Sequence, residues 1–118
     1  MSVTRRELER CAALAQEADH LRERMIRLRA DAEGADEAAR SLEQLTARWW
    51  LVIDAYLGLM GRIDQAIAGL ECPAVRIVMR LRYLEGLAWE EVGYRAHYAS
   101  SHCRRLCCQG LQQLGARR

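Results

Sequence analysis

Apolar residues recur at alternating spacings of three and four along most of the chain's first half. Cys11, Leu14, Ala18, Leu21, Met25, Leu28 and Ala32 form one run. Ala35, Ala39, Leu42, Thr46, Trp49, Ile53, Tyr56, Met60, Ile63, Ile67 and Leu70 continue it. That alternation holds one stripe on one side of an α-helix and is the seam of a coiled coil. A stripe this narrow, with Ala and Cys in it, is marginal for a lone helix, so it must bury against a partner helix. Composition agrees. Pro occurs once, Phe is absent, and Ala, Leu, Arg and Glu dominate, which is the make-up of an all-α protein with extended helices.

The first helix is expected from Thr4 to Ala32. Ser2 or Thr4 can cap it, and Glu7, three residues after Thr4, completes a capping-box spacing. Its flanks are dense in Arg and Glu, including Glu23 and Arg27 at the favourable i,i+4 order. The best break is the string DAEGAD at residues 31–36, where Gly34 ends one helix and Asp36 caps the next. The heptad phase runs on through it. Two models therefore stand: an antiparallel hairpin folded at Gly34, or one long helix pairing between subunits. Trp49, Trp50, Leu51, Val52, Ile53, Tyr56, Leu57 and Leu59 make the apolar side too wide for a single partner, which favours the hairpin. Gly58 and Gly61, three apart, leave room for another helix to approach.

Pro73 marks a boundary, because it disfavours helical geometry at Cys72 and suits the first position of a new helix. A helix over residues 74–84 buries Val75, Val78, Met79 and Tyr83 and turns Arg76, Arg80 and Arg82 outward, and Gly86 closes it. Residues 87–114, LAWEEVGYRAHYASSHCRRLCCQGLQQL, then read as two short helices joined by a tight turn. Trp89-Glu90-Glu91 opens the first with acids at the positive end of its dipole. Trp89 is expected in the core with its N–H near the rim. His97-Tyr98-Ala99 forms the turn. Ser100-Ser101 starts the second helix, with Cys103, Leu106, Gly110, Leu111 and Leu114 inward. Ser100, Ser101, Arg104, Arg105 and Gln109 fall on the other face, the donor-rich front that a DNA-reading helix needs.

This stretch resembles region 4 of bacterial sigma-70 factors, with Leu87, Trp89, Glu90, Glu91, Val92, Gly93, Arg104, Leu106, Leu111 and Leu114 at matching positions. The string Leu81-Arg-Tyr-x-x-Gly-x-x-Trp-Glu-Glu91 resembles small phage and prophage regulators of the ArpU and RinA type. The resemblance spans residues 72–115. It implies a helical N-terminal half, a helix-turn-helix C-terminal half, and regulation of transcription through DNA. The chain departs from the family pattern at three places. His97 stands where the family turn carries Gly, Ala99 where it carries a Ser cap, and Ser101 where the recognition helix carries Glu. An Ala cap leaves helix N–H groups unmet at a cost of ~1 kcal/mol; Ser100 is the candidate to take over. Promoter preference does not transfer.

Charge is uneven although the net is only +2. Residues 1–33 hold seven Arg and seven acids, and residues 34–72 hold three Arg and six acids. From Arg95 onward there are five Arg and no acid, the electrostatic footprint of phosphate contact. Every basic side chain except His is Arg, which makes bidentate contacts to guanine or phosphate where Lys acts as a point charge.

Other chemistry has little to stand on. His102, Cys103 and Cys107 lie within two turns, but structural zinc wants four ligands and no second pair is near. Glu90-Glu91 has no His at usable spacing. There is no Gly-rich phosphate loop, nucleophile elbow or His-Glu-x-x-His. Five cysteines without framework spacing read as reduced small apolar residues. No run is apolar enough to span a bilayer, and no signal peptide is evident.

The expectation is an all-α chain: residues 1–71 a helical hairpin or coiled-coil oligomerisation arm, residues 72–118 a three-helix helix-turn-helix domain. Its expected function is a sequence-specific, DNA-binding transcriptional regulator, cytoplasmic and nucleoid-associated, with no enzyme activity, cofactor or metal. Ser100, Ser101, Arg104 and Arg105 are expected at base edges, and Arg95, His102 and Gln109 toward the backbone. The partners are double-stranded DNA and a second copy through the N-terminal helices, with RNA polymerase as a further candidate and no membrane. Two alternatives stay open: a small terminase-like DNA-packaging protein, and a coiled-coil interaction protein that binds no DNA.

Overall fold

The computed structural model describes residues 3–31 and 36–115, and it is all-helical over them. Five helices follow one another: α1 (Arg5–Asp31), α2 (Asp36–Ala68), α3 (Pro73–Met79, continuing as a π-helical end over Arg80–Leu84), α4 (Trp89–Ala96) and α5 (Ser100–Gln113). The expected break at Gly34, the cap at Ser2 and the seam positions Ala32 and Ala35 lie outside the described residues.

Helix α1 starts as the spacing predicts. The Thr4 N–H donates to Glu7 Oε1 at 3.2 Å and the Glu7 N–H donates to Thr4 Oγ1 at 3.1 Å, a reciprocal capping box. The backbone bond from Thr4 holds the Glu7 carboxyl below its ordinary pKa, and the Arg62 guanidinium adds to this. Val3 before the cap and Leu8 after it are both buried in one cluster, the placement of a hydrophobic staple.

Helices α1 and α2 form an antiparallel hairpin. Arg62 pairs with Glu7 at 2.7 Å and Arg48 with Glu17 at 3.3 Å, so positions falling along α2 meet positions rising along α1. The heptad stripe is consumed inside the chain: Leu14, Ala18 and Leu21 bury with Val52 between the two helices. The outer side of α2 is a different matter. Trp50, Leu51 and Leu57 are 61%, 73% and 53% exposed, so this part of the apolar width after Leu45 is not covered by the described residues.

The other end of the hairpin merges with the C-terminal helices. Leu8 and Cys11 of α1 and Ile63 and Ile67 of α2 share one buried cluster with Val75, Met79, Val92, Cys103 and Leu111. The Tyr56 hydroxyl donates to the Leu84 carbonyl at 2.6 Å, and the Gln16 amide donates to the Gly86 carbonyl at 2.6 Å. Gly86 sits at φ +68°, and a Cβ there would come within 2.5 Å of the Ala12 carbonyl oxygen, so the α3–α4 link can rest directly on α1 only as glycine.

Helix α3 begins at Pro73 with Cys72 extended at ψ 117°, as a residue before proline should be. Its last turns widen: the Glu85 N–H reaches back to the Arg80 carbonyl at 3.1 Å and the Leu87 N–H to Leu81 at 3.2 Å. That π turn brings both Tyr83 and Leu84 into the core. It also corrects the expectation that the α3 arginines point outward. All three are half-buried. Arg76 donates to the Leu70 and Glu71 carbonyls, Arg80 pairs with Asp64 at 3.0 Å, and Arg82 donates to the Leu87 carbonyl at 2.8 Å. The heads of Arg76 and Arg82 thus meet backbone carbonyls, and that of Arg80 meets a carboxylate.

Candidate nucleic-acid interface

Helix α4, the turn at residues 97–99 and α5 form a helix-turn-helix in the plain geometric sense. The turn depends on His97, which takes the left-handed conformation at φ 63°, ψ 38°. It is the one non-glycine residue with positive φ among the described residues. A short polar ring tolerates that region better than a branched side chain does. The Tyr98 N–H then donates to the Gly93 carbonyl at 3.0 Å and closes α4. Ala99 stands at the cap of α5 with no side-chain bond. The Ser100 hydroxyl does not substitute for one, because it lies 3.5 Å from the Trp89 carbonyl.

The inner side of α5 is settled by packing. Cys103, Leu106, Cys107, Gly110 and Leu111 are buried. Gly110 is where α5 lies closest to α3: a Cβ there would collide with the Met79 sulfur and come within 2.9 Å of Val75 Cγ1. Cys107 is inward as well, its thiol donating to the Tyr83 hydroxyl at 3.5 Å. Burial raises the pKa of Cys103, Cys107 and Tyr83. Two of the three candidate metal ligands are thus core side chains, and no cluster of three metal-ligating groups occurs among the described residues.

The outer side carries the predicted front. Ser101, Arg104, Arg105 and Gln109 are exposed, and among the described residues neither arginine makes an ion pair. The Arg104 guanidinium carbon lies 5.6 Å from the Trp89 ring centroid, and Arg82 covers the same ring at 4.4 Å. Trp89 is therefore a half-buried rim residue stacked with two guanidinium groups, not the centre of the core. Opening α4 puts it at the end of that helix, where only one side of the indole meets the cluster.

Three expected site residues sit apart from this front. Ser100 is half-buried, with its hydroxyl turned toward α4. His102 is half-buried against Tyr98, ring edge to ring face with centroids 5.0 Å apart. Arg95 is exposed but held by Glu91 at 3.0 Å and Glu85 at 3.3 Å. Two residues belong to the front that the sequence reading passed over. Cys108 and Gln112 are exposed and follow Ser101 and Arg105 at helical spacing. Stepping seven residues from Ser101 and from Arg105 would have found both.

No protein-family model, curated protein or solved structure matches the chain.

Proposed function

We propose that the protein is a non-enzymatic, sequence-specific DNA-binding regulator of transcription, with α5 entering the major groove as in the sigma region 4 type it resembles. The observation that carries this reading is the exposed Arg104–Arg105 pair on a helix whose opposite side is locked into the core. Ser101, Arg104 and Arg105 supply donors for base edges. Gln109 and Gln112 extend that front toward the sugar-phosphate backbone.

A single short helix offers few contacts, so a second copy doubles them. Because the heptad stripe is buried inside the hairpin, the pairing surface we assign is the outer side of α2, where Trp50, Leu51 and Leu57 are grouped, rather than the single exposed Ile26 of α1. A stable pair buries about 800 Å² per partner, and a helix the length of α2 spans about 50 Å, enough for that contact. Isolated apolar side chains on a surface are ordinary, whereas three grouped large ones mark an interaction patch.

The test is selection from randomised duplexes with the full chain, followed by titration of the enriched duplex across salt. The reading expects an enriched sequence and an affinity that falls as a power of salt, about 0.9 in exponent per phosphate neutralised. Enrichment of nothing, or binding indifferent to salt, would sink it. Sedimentation of the free protein at micromolar concentration checks the pairing, and a monomer there counts against it.

A further inference from the structure

Toward the end of the hairpin where α1 finishes and α2 begins, away from α3, α4 and α5, a cleft of about 600 Å³ lies between α1 and α2. It falls within the roughly 300–1,000 Å³ range of small-ligand sites. Its walls are Arg24, Arg27 and Leu28 from α1 and Ser41, Gln44, Leu45 and Arg48 from α2. The α2 set recurs at three- and four-residue steps, so one side of that helix faces the cleft along its whole length. Leu28 and Leu45 are half-buried and make an apolar floor. The rest of the lining is three arginines, a serine and a glutamine, with no carboxylate among the described residues that line it.

That arrangement departs from the balanced charge of the rest of α1. The i,i+4 pairing of Glu23 with Arg27 expected from the sequence is not among the ion pairs of the described residues. Instead, Arg27 lines the cleft beside Arg24. Arg48 is steadied by Glu17 at 3.3 Å, in a pair whose side chains are 66% and 41% exposed. A contact that open to water leaves the guanidinium donors available to a second anion. Like charges gathered on low-dielectric walls raise the local potential and draw anions. Planar guanidinium forks match the oxygens of phosphate, two bonds at a time.

We propose that this cleft binds a phosphate-bearing ligand presenting at least two phosphate groups, either a free polyphosphate or nucleotide, or neighbouring phosphates of a nucleic-acid backbone. The site is separate from the α5 front and does not rest on the reading of that helix.

The experiment has two arms, both on the full chain. In the first, inorganic pyrophosphate is titrated while the arginine Nε–Hε resonances are followed by NMR and affinity is measured by calorimetry. Arg24, Arg27 and Arg48 should shift, and the Arg24→Gln/Arg27→Gln variant should bind at least tenfold more weakly. Arg22→Gln, exposed on the other flank of α1, should bind as the parent does. In the second arm, the salt exponent for duplex DNA is compared between parent and the same double variant. A drop of about two would assign the site to backbone phosphates, since each neutralised phosphate contributes about 0.9. Pyrophosphate binding with an unchanged exponent would assign it to a free ligand. The proposal is overturned if neither arm responds, or if Arg22→Gln weakens pyrophosphate as much as the double variant does.

Discussion

Arg104 projects from α5 across the Trp89 ring of α4, with its guanidinium carbon 5.6 Å from the ring centroid. The stack restrains a long side chain without using its hydrogen-bond donors, so the guanidinium edge stays free for a partner. Arg95, four residues from Glu91, has the opposite fate: two carboxylates occupy it. Replacing Arg104 with Ala should cost about 1–3 kcal/mol of binding to the selected duplex if it reads a base. Arg95→Ala should cost less, since that side chain must first leave its ion pairs. Fluorescence anisotropy on the selected duplex measures both. A larger loss for Arg95→Ala than for Arg104→Ala would reverse the assignment.

How far the sequence carries this fold is clearest residue by residue. Spacing located Thr4 and Glu7 as a capping box, Pro73 as a boundary, His97 as the turn, and Cys103 through Leu111 as the buried side of α5. Each of these is a local rule satisfied locally. What spacing could not reveal was who covers whom. The stripe from Leu14 to Leu21 reads the same whether its partner is α2 or another chain. The ends of Arg76, Arg80 and Arg82 were misplaced because periodicity fixes Cα positions, while a guanidinium on a flexible stem goes to whichever carbonyl or carboxylate lies in reach. Trp89 was misplaced for the related reason that a helix's first residue has neighbours on one side only. In the candidate site, phase gave the exposed faces of Ser101, Arg104, Arg105 and Gln109; of the two carboxylates that occupy Arg95, Glu91 stands at the i,i+4 spacing of a helical pair, while Glu85 in the α3–α4 link has no helical relation to it.

Gly110 and Met79 set the distance between α5 and α3. Met79 and Val75 are fully buried, so neither can swing away from an added methyl without disturbing the cluster. Gly110→Ala gains helix propensity of up to about 1 kcal/mol but overpacks the crossing by about 1–3 kcal/mol. The net result should be destabilisation, read as a lower urea midpoint with an unchanged slope. A raised midpoint would show that the crossing is looser than the contacts indicate.

The cysteines divide into two classes with an alkaline consequence. Cys72 and Cys108 are exposed, while Cys11, Cys103 and Cys107 are buried. Burial pushes the Cys11 thiol up to about 11 from an ordinary 9.0. Cys103 and Cys107 shift the same way, as does the Tyr83 hydroxyl. A raised folded-state value means that the folded chain holds its proton longer than the unfolded chain does. The associated stability is complete below pH 9 and declines as pH climbs toward 11, because unfolded thiols ionise first. Urea midpoints should accordingly fall between pH 8 and pH 10.5. At pH 8 a disulfide reagent should modify two thiols rapidly and the other three only on unfolding; a rapid third equivalent would contradict the burial of that group.

Tyr56 and Gln16 tie the hairpin to the segment that launches α4, through the carbonyls of Leu84 and Gly86 at 2.6 Å each. Tyr56→Phe removes a donor from a largely buried carbonyl at the end of the π turn, with an expected loss of about 0.5–1.5 kcal/mol. Gln16→Leu removes the second tie. The two carbonyls are two residues apart on one strand of chain, so losing either bond loosens the seat of the other. The double variant should therefore lose less than the sum of the single losses. Amides 87–92, which lead into and open α4, should exchange faster in both single variants, because their anchorage to α1 and α2 passes through this link. Additive losses with unchanged exchange would mean that the hairpin holds the C-terminal helices through the buried cluster alone, and that Tyr56 and Gln16 act as independent surface bonds.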